Sequence, residues 1–91
     1  MSKNKCSLIR YIAIDKCLSR CCHTLQEIKE EVDKAMIDVY GHPASLRTVR
    51  QDIYDMKDRM LFDAPIEIKR FDKNFYYYYT VPGYCIFTKN K

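Results

Sequence analysis

The residues of this chain that are best suited to chemistry form one polar face near its middle: Ser45, Arg47, Thr48, Arg50, Gln51 and Tyr54. At about 100° per residue, Arg47 and Gln51 share one side of a helix. Tyr54 lies beside them, and Arg50 lies on the flank. Arginine and glutamine carry forked donors that suit guanine and adenine edges, and threonine adds a short contact to a phosphate. The pattern is typical both of a helix that reads nucleic acid and of a surface helix with ordinary solvated charges.

An amphipathic helix must position this polar face. Apolar residues recur on the opposite side at the 3.6-residue period, namely Leu46, Val49, Ile53, Met56 and Met60. Ser45 is a suitable N-cap, because its hydroxyl can accept a hydrogen bond from an unpaired backbone N–H of the first turn. The spacing therefore predicts a helix that begins after Ser45 and runs to about Leu61, with its apolar side buried.

Two further helices are predicted upstream. Residues 7–20 carry apolar side chains on more than one side, which indicates packing against more than one neighbour. Thr24 and Glu27 have the spacing of a capping box, so a second helix should cover residues 25–40. Gly41 suits the end of that helix, and the proline that follows cannot continue it. Its predicted apolar face comprises Leu25, Ile28, Val32, Ala35, Met36 and Val39.

Beyond the third helix the hydrophobic pattern has a period of two. Residues 64–71 alternate between apolar and polar side chains, and residues 75–81 have high β propensity. Both patterns predict strands. The polar turn between them contains Asn74, a residue that can adopt positive φ. The tyrosines of the second strand alternate between faces, so two of them face away from the helices. For these two, a dimer or interdomain surface is favoured over stacking on single-stranded bases. Three helices followed by a hairpin predict an α+β winged helix-turn-helix fold.

Three cations lie close to the predicted hairpin turn: Lys69, Arg70 and Lys73. A wing could deliver them to the minor groove or to a phosphate. Charged hairpin tips also keep strand edges soluble, and this explanation stays open. We expect residues 1–81 to form the winged helix and residues 82–91 to form a tail or the start of a linker.

Composition limits the class of protein. Ninety-one residues fit one small domain, and the net charge of +4 is unevenly spread. Residues 1–20 carry five Lys and Arg against one acid, residues 23–40 carry five acids against two Lys, and residues 64–91 carry five Lys and Arg against two acids. Such asymmetry favours a polyanion that is contacted by particular elements. In the first segment Lys3, Lys5 and Arg10 could contact phosphates, or they could belong to a disordered basic tail.

The cysteines indicate reduced thiols. Five are present, an odd number, and no secretory signal or membrane-spanning apolar run is recognisable, so we expect a cytoplasmic protein without a membrane partner. Cys17, Cys21, Cys22 and His23 are close in sequence, but they lack the spacing of a zinc site, so packing is favoured and no metal or cofactor is expected. No nucleophile–base grouping and no phosphate-cradling glycine loop is visible, which argues against an enzyme.

The chain also resembles a known family. The resemblance lies in Ser45-x-Arg47-Thr48-Val49-x-x-Asp52-Ile53, in Ala64-Pro65-Ile66 with the Tyr-rich strand, and in Arg10-Tyr11-x-x-Ile14-Asp15-x-Cys17-Leu18. These phrases are similar to the N-terminal DNA-binding domain of bacterial WYL-domain transcriptional regulators, which are DeoR-type winged helices. The likeness covers about residues 8–80.

The resemblance implies a function and a set of contacts. The third helix would enter the major groove of double-stranded DNA, and the hairpin would act as the wing. The residues that match the DNA-facing part of the motif are Ser45, Arg47, Thr48, Arg50 and Gln51, whereas Asp52 would orient or cap. A ligand-sensing WYL domain and a homodimer are typical of the full-length proteins, so this chain would be a piece of such a protein or a stand-alone relative. The alternative is a winged-helix module that binds a protein partner and no DNA.

Overall fold

Three helices and three short strands make up the part of the chain that the structure describes. The computed structural model describes residues 4–87, with side chains from residue 7 onward. The elements are α1 (Asn4–Arg20), β1 (His23–Thr24), α2 (Leu25–Tyr40), α3 (Leu46–Lys57), β2 (Ile66–Phe71) and β3 (Asn74–Tyr79). The predicted α+β winged helix is confirmed, with β1 as an additional element. The predicted contacts of Lys3 and of the Lys5 side chain lie outside the described residues.

The caps that were predicted from the sequence begin and end the helices. The Glu27 N–H donates to Thr24 Oγ1 at 3.1 Å, and the Thr24 N–H donates to Glu27 Oε1 at 3.1 Å, which completes the capping box of α2. The last turn of α2 closes on Gly41, whose φ of 81° lies in the left-handed region that favours glycine. At the start of α3, Ser45 Oγ accepts from the Thr48 N–H at 3.1 Å.

The third helix is shorter than the sequence predicts. It ends at Lys57, and the prediction that it runs to Leu61 was wrong. The Asp58 carbonyl accepts hydrogen bonds from the N–H groups of Leu61 and Asp63, and its carboxylate accepts one from the Met60 N–H at 2.8 Å. These bonds end the helix because they fold the chain into a loop. Met60 is consequently 88% exposed and does not belong to the core stripe.

The core lies where the three helices meet the sheet. Its largest fully buried side chains are Ile14, Ile28, Val32, Val49, Ile53, Met56 and Ile66. Cys17 packs with them, and burial raises its pKa to about 11, so the thiol stays neutral at physiological pH. Val39 was predicted on the apolar face of α2, but it is 54% exposed beside an open groove between α1 and α2.

The sheet is antiparallel with the strand order β1-β3-β2. β1 pairs His23 with Tyr77, and β2 pairs Ile68 with Tyr77 on the other side of β3. The hairpin turn places positive φ at Asp72 (65°). Asn74, for which the sequence suggested that conformation, is a strand residue opposite Phe71.

A buried carboxylate ties the end of the described chain to α1. Asp15 is fully buried and accepts hydrogen bonds from the Tyr79 hydroxyl and from the N–H groups of Ile86 and Phe87, the latter two at 2.8 Å. Burial, followed by the hydrogen bond to Asp15, raises the pKa of Tyr79, so its hydroxyl remains a donor. Residues 84–87, which the sequence assigned to a tail or linker, therefore pack against the helices.

Candidate nucleic-acid interface

The third helix buries its apolar side and presents its polar side to solvent. Val49, Ile53 and Met56 are buried. On the other side Arg47, Arg50, Gln51 and Tyr54 are exposed, as their helical spacing predicts. Leu46 is 38% exposed and lies at the edge between the two faces. The structure thus leaves the predicted reading side chains accessible along one face of α3.

In the first turn of α3, the Thr48 hydroxyl can donate a hydrogen bond to a ligand. Ser45 Oγ donates to Thr48 Oγ1 at 2.9 Å while it accepts from the Thr48 N–H. Thr48 Oγ1 is therefore an acceptor within this pair, and its own O–H can donate outward. A hydroxyl donor at a helix N-terminus, where backbone N–H groups also carry partial positive charge, suits an anion such as a phosphate.

Gln51 is held by a residue one turn further along the helix. Its Nε2 donates to Asp55 Oδ1 at 3.0 Å. The other carboxylate oxygen, Asp55 Oδ2, accepts from the Tyr11 hydroxyl of α1 at 3.4 Å. The Tyr11 ring packs edge-on against Phe62 with centroids 5.3 Å apart. A polar chain therefore runs from a half-buried tyrosine to the exposed face of α3.

An open cleft of about 490 Å³ separates α3 from the inner face of the hairpin. Two of the predicted contact residues, Arg50 on α3 and Lys73 at the hairpin turn, line it together. Its apolar lining comprises Leu25, Leu46, Ile68, Phe75 and Tyr77, and the start of α2 contributes Thr24 and Gln26. Burial raises the pKa of Tyr77 and the nearby Arg50 guanidinium partly offsets this rise. The cleft combines a hydrophobic floor with cations from two elements.

The three wing cations do not lie together. Arg70 faces the inner side, where its guanidinium lies 5.8 Å from the centroid of the Phe75 ring. Lys69 faces the outer side, with Nζ 5.3 Å from the centroid of the half-buried Tyr78 ring. Lys73 is exposed at the turn. The hairpin therefore presents Arg70 and Lys73 on the side of the cleft and directs Lys69 to the opposite face.

Arg10, for which the sequence allows a phosphate contact, instead binds within the domain. Its Nε donates to Asp52 Oδ2, and its Nη2 donates to Asp52 Oδ1 at 3.2 Å and to Ser7 Oγ at 3.3 Å. The Arg10 side chain is 13% exposed and that of Asp52 is 4% exposed. Asp52 thus joins α3 to α1, which is consistent with the orienting role expected for it.

The predicted contact cations form no ion pair with a described side chain. Within residues 7–87, where side chains are described, no ion pair involves Arg47, Arg50, Lys69, Arg70 or Lys73. Arg50, on the flank of α3, therefore makes no salt bridge in this part of the chain. In the same residues no group of three His, Cys, Asp or Glu side chains could hold a metal ion. No helix among the residues described is long and apolar enough to cross a membrane.

Sequence reasoning missed several residues that shape this surface. Asp55 and Tyr11 hold Gln51, and Phe75 and Tyr77 line the cleft. The four-residue spacing of Gln51 and Asp55 is a signal for their hydrogen bond. The two-residue spacing of Phe75 and Tyr77 similarly indicates a shared face. The approach of Tyr11 has no local signal, because it depends on how α1 packs on α3.

Comparison with known protein families gives a match. Residues 6–79 match the N-terminal winged helix domain of WYL domain-containing proteins. Neither the curated proteins nor the solved structures with which the chain was compared gave a match. The matched range includes α2, α3 and the whole hairpin. Because it covers most of the chain, the protein belongs to the family of N-terminal winged helix domains of WYL domain-containing proteins.

Proposed function

We propose that this domain binds double-stranded DNA in a sequence-specific manner, as the N-terminal domain of a bacterial transcriptional regulator. The observation that carries the proposal is the division of α3 into a buried face and an exposed face with Arg47, Arg50 and Gln51. An α-helix fits the major groove of B-DNA, which is about 12 Å wide. Family membership supports the same function, because winged helices are typically DNA-binding and non-catalytic. We accordingly propose that the domain is not an enzyme.

The structure suggests a division of roles among the contacts. Arg47 and Gln51, opposite the buried face, would reach base edges, with Tyr54 beside them. Ser45 and Thr48 would place hydroxyl groups at a phosphate next to the start of α3. These contacts form one continuous stretch of α3 that could follow the major groove.

The cleft would receive the neighbouring DNA backbone. Arg50 and Lys73 line it from α3 and from the wing, and Arg70 lies on the same face of the hairpin. Phosphate neutralisation by such cations releases counterions and makes affinity depend on salt. Lys69, on the outer face, would contribute less than Lys73. The wing would thus add affinity, and α3 would add most of the sequence discrimination.

We also propose that the full-length regulator is a homodimer.

One observation favours the alternative, a module that binds a protein partner. Phe71 and Phe75 are 70% and 56% exposed on the hairpin, and exposed aromatic groups often mark protein interfaces. Such binding would depend on the aromatic rings and would tolerate the loss of the α3 cations.

The deciding experiment removes the α3 cations. We expect Arg47→Ala/Arg50→Ala to weaken binding to a site selected from a random duplex library by at least about tenfold at near-physiological salt. The salt dependence should also become shallower, by up to about two units of the log–log slope. Fluorescence anisotropy on a labelled duplex measures both.

A matched control removes the same charge elsewhere. Lys16→Ala/Lys34→Ala takes two cations from the groove between α1 and α2, and we expect little change in duplex affinity. Circular dichroism checks that both double variants fold. Equal losses in the two double variants, or no salt-dependent binding by the wild-type protein, would overturn the proposed function.

A further inference from the structure

A hydrogen bond to Asp55 orients the Gln51 amide. Its Nε2 donates to Asp55 Oδ1 at 3.0 Å. An ionised carboxylate can only accept hydrogen bonds, so the nitrogen, and not the oxygen, of the amide must face Asp55. This leaves Oε1 and the second N–H of Nε2 directed away from Asp55, on the exposed face of α3.

Asp55 is itself held in place from α1. The Tyr11 hydroxyl donates to Asp55 Oδ2 at 3.4 Å, so both carboxylate oxygens have a donor. The Tyr11 ring is half-buried and packs edge-on against Phe62. Burial, and then the charge of Asp55, raises the pKa of Tyr11, which keeps the hydroxyl protonated as a donor. The carboxylate is therefore oriented by a side chain outside its own helix.

A fixed amide distinguishes the purines. In the major groove adenine presents an acceptor, N7, next to a donor, the N6 amino group, whereas guanine presents two acceptors. The free N–H of Gln51 matches N7, and Oε1 matches the N6 amino group. An amide that could flip would lose part of this distinction, because its oxygen and nitrogen would exchange places.

We propose that Tyr11 and Asp55 are positioning residues that hold Gln51 for bidentate recognition of an adenine in the DNA site. This inference rests on the proposed function and names one base of its target. It also explains why a carboxylate lies beside a surface that would face phosphates. Asp55 repels the backbone and so weakens binding to every sequence, but it orients the group that selects one base.

Asp55 should lower the affinity for every duplex and raise the preference for adenine over guanine, and these opposite effects can be tested. A site is first selected from a random duplex library with the wild-type protein, and Gln51→Ala identifies the base pair whose preference depends on Gln51. Dissociation constants are then measured for duplexes with A·T or G·C at that position. We expect the wild-type protein to favour adenine by about tenfold. Asp55→Ala should reduce the ratio to below about threefold while affinity for unrelated duplex stays equal or rises.

A double-mutant cycle separates positioning from a general charge effect. In the Gln51→Ala background, Asp55→Ala should not change the adenine-to-guanine ratio further. Tyr11→Phe, which removes only the hydroxyl, should lower the ratio in the same direction by a smaller factor. Glu30→Ala, which removes an exposed carboxylate from α2, is the matched control and should leave the ratio unchanged.

Each outcome bears on the inference. An unchanged ratio in Asp55→Ala, a Gln51-dependent preference for a base other than adenine, or no Gln51-dependent position would overturn it while the proposed function stands. Absence of any selected duplex site for the wild-type protein would overturn the proposed function, and this inference would fall with it.

Discussion

At the scale of single residues, the Arg10–Asp52 pair determines how α3 is held. Two guanidinium nitrogens meet the two oxygens of Asp52, and both side chains are largely removed from solvent. Asp52 belongs to the buried side of the helix that carries the proposed reading face. The ion pair therefore fixes the rotation of α3 against α1, on which the direction of Arg47 and Gln51 depends.

We expect Asp52→Ala to lower the free energy of unfolding by about 3–5 kcal/mol, because the Arg10 charge would stay buried without its main partner. Urea denaturation followed by circular dichroism measures the change. Glu31→Ala is the matched control. It breaks an exposed pair with Lys34, whose side chain is 75% exposed, and should cost at most about 1 kcal/mol.

The double substitution Arg10→Met/Asp52→Leu tests the cause. It removes both charges and keeps apolar bulk, so most of the lost stability should return. If Asp52→Ala proved no more destabilising than Glu31→Ala, the buried pair would not be what holds α3 on α1.

At the scale of elements, the wing has two chemically different faces. Lys73 lines the cleft shared with α3, and Lys69 lies over Tyr78 on the other face. We expect Lys73→Ala to weaken duplex binding similarly for all sequences and to reduce the salt slope by about 1 unit. Lys69→Ala, the same change of charge on the other face of the same hairpin, should have a smaller effect. Anisotropy titrations at several salt concentrations measure both, and equal effects would contradict the assignment of the cleft as the DNA-facing side.

The elements differ in how far the sequence predicts them. Thr24, Gly41 and Ser45 begin or end helices through hydrogen bonds with close neighbours in the chain, so their spacing was sufficient. β1 has only two residues and is a strand because it pairs with β3, about fifty residues further along, which no local pattern indicates. The end of α3 was missed because the side chain and carbonyl of Asp58 compete for N–H groups that a longer helix would use.

The same distinction applies to the candidate interface. Helical spacing alone placed Arg47 and Gln51 on the solvent side of α3, where the structure has them. It could not show that Arg10 is engaged by Asp52, or that Arg50 and Lys73 line one cleft. Those relations depend on the packing of α1, α3 and the hairpin. Local physics therefore predicts which side chains α3 offers, and tertiary packing decides which cations from other elements join them.

At the scale of the whole molecule, the segment after the hairpin completes the fold. Residues 84–87 supply two N–H donors to Asp15, and the Tyr84 ring packs edge-on against that of Tyr79 at a centroid distance of 4.8 Å. Phe87 packs in the same manner against Phe62, with centroids 5.4 Å apart. We propose that the folded unit includes these residues, and that any segment after them starts beside α1.

Removal of this segment should therefore destabilise the domain. A chain that ends at Gly83 would leave Asp15 buried with fewer donors and would expose Tyr79, so we expect the free energy of unfolding to fall by about 3–5 kcal/mol. That is a large share of the roughly 5–15 kcal/mol typical of small domains. A chain that ends at Phe87 is the reference in urea denaturation, because the two shortened chains differ only in residues 84–87. In Asp15→Leu, which needs no donors, removal of residues 84–87 should cost less than with Asp15 present, because the two changes share one interaction. Equal stability of the chains that end at Gly83 and at Phe87 would show that the segment is an appendage to the fold and would contradict its place in the domain.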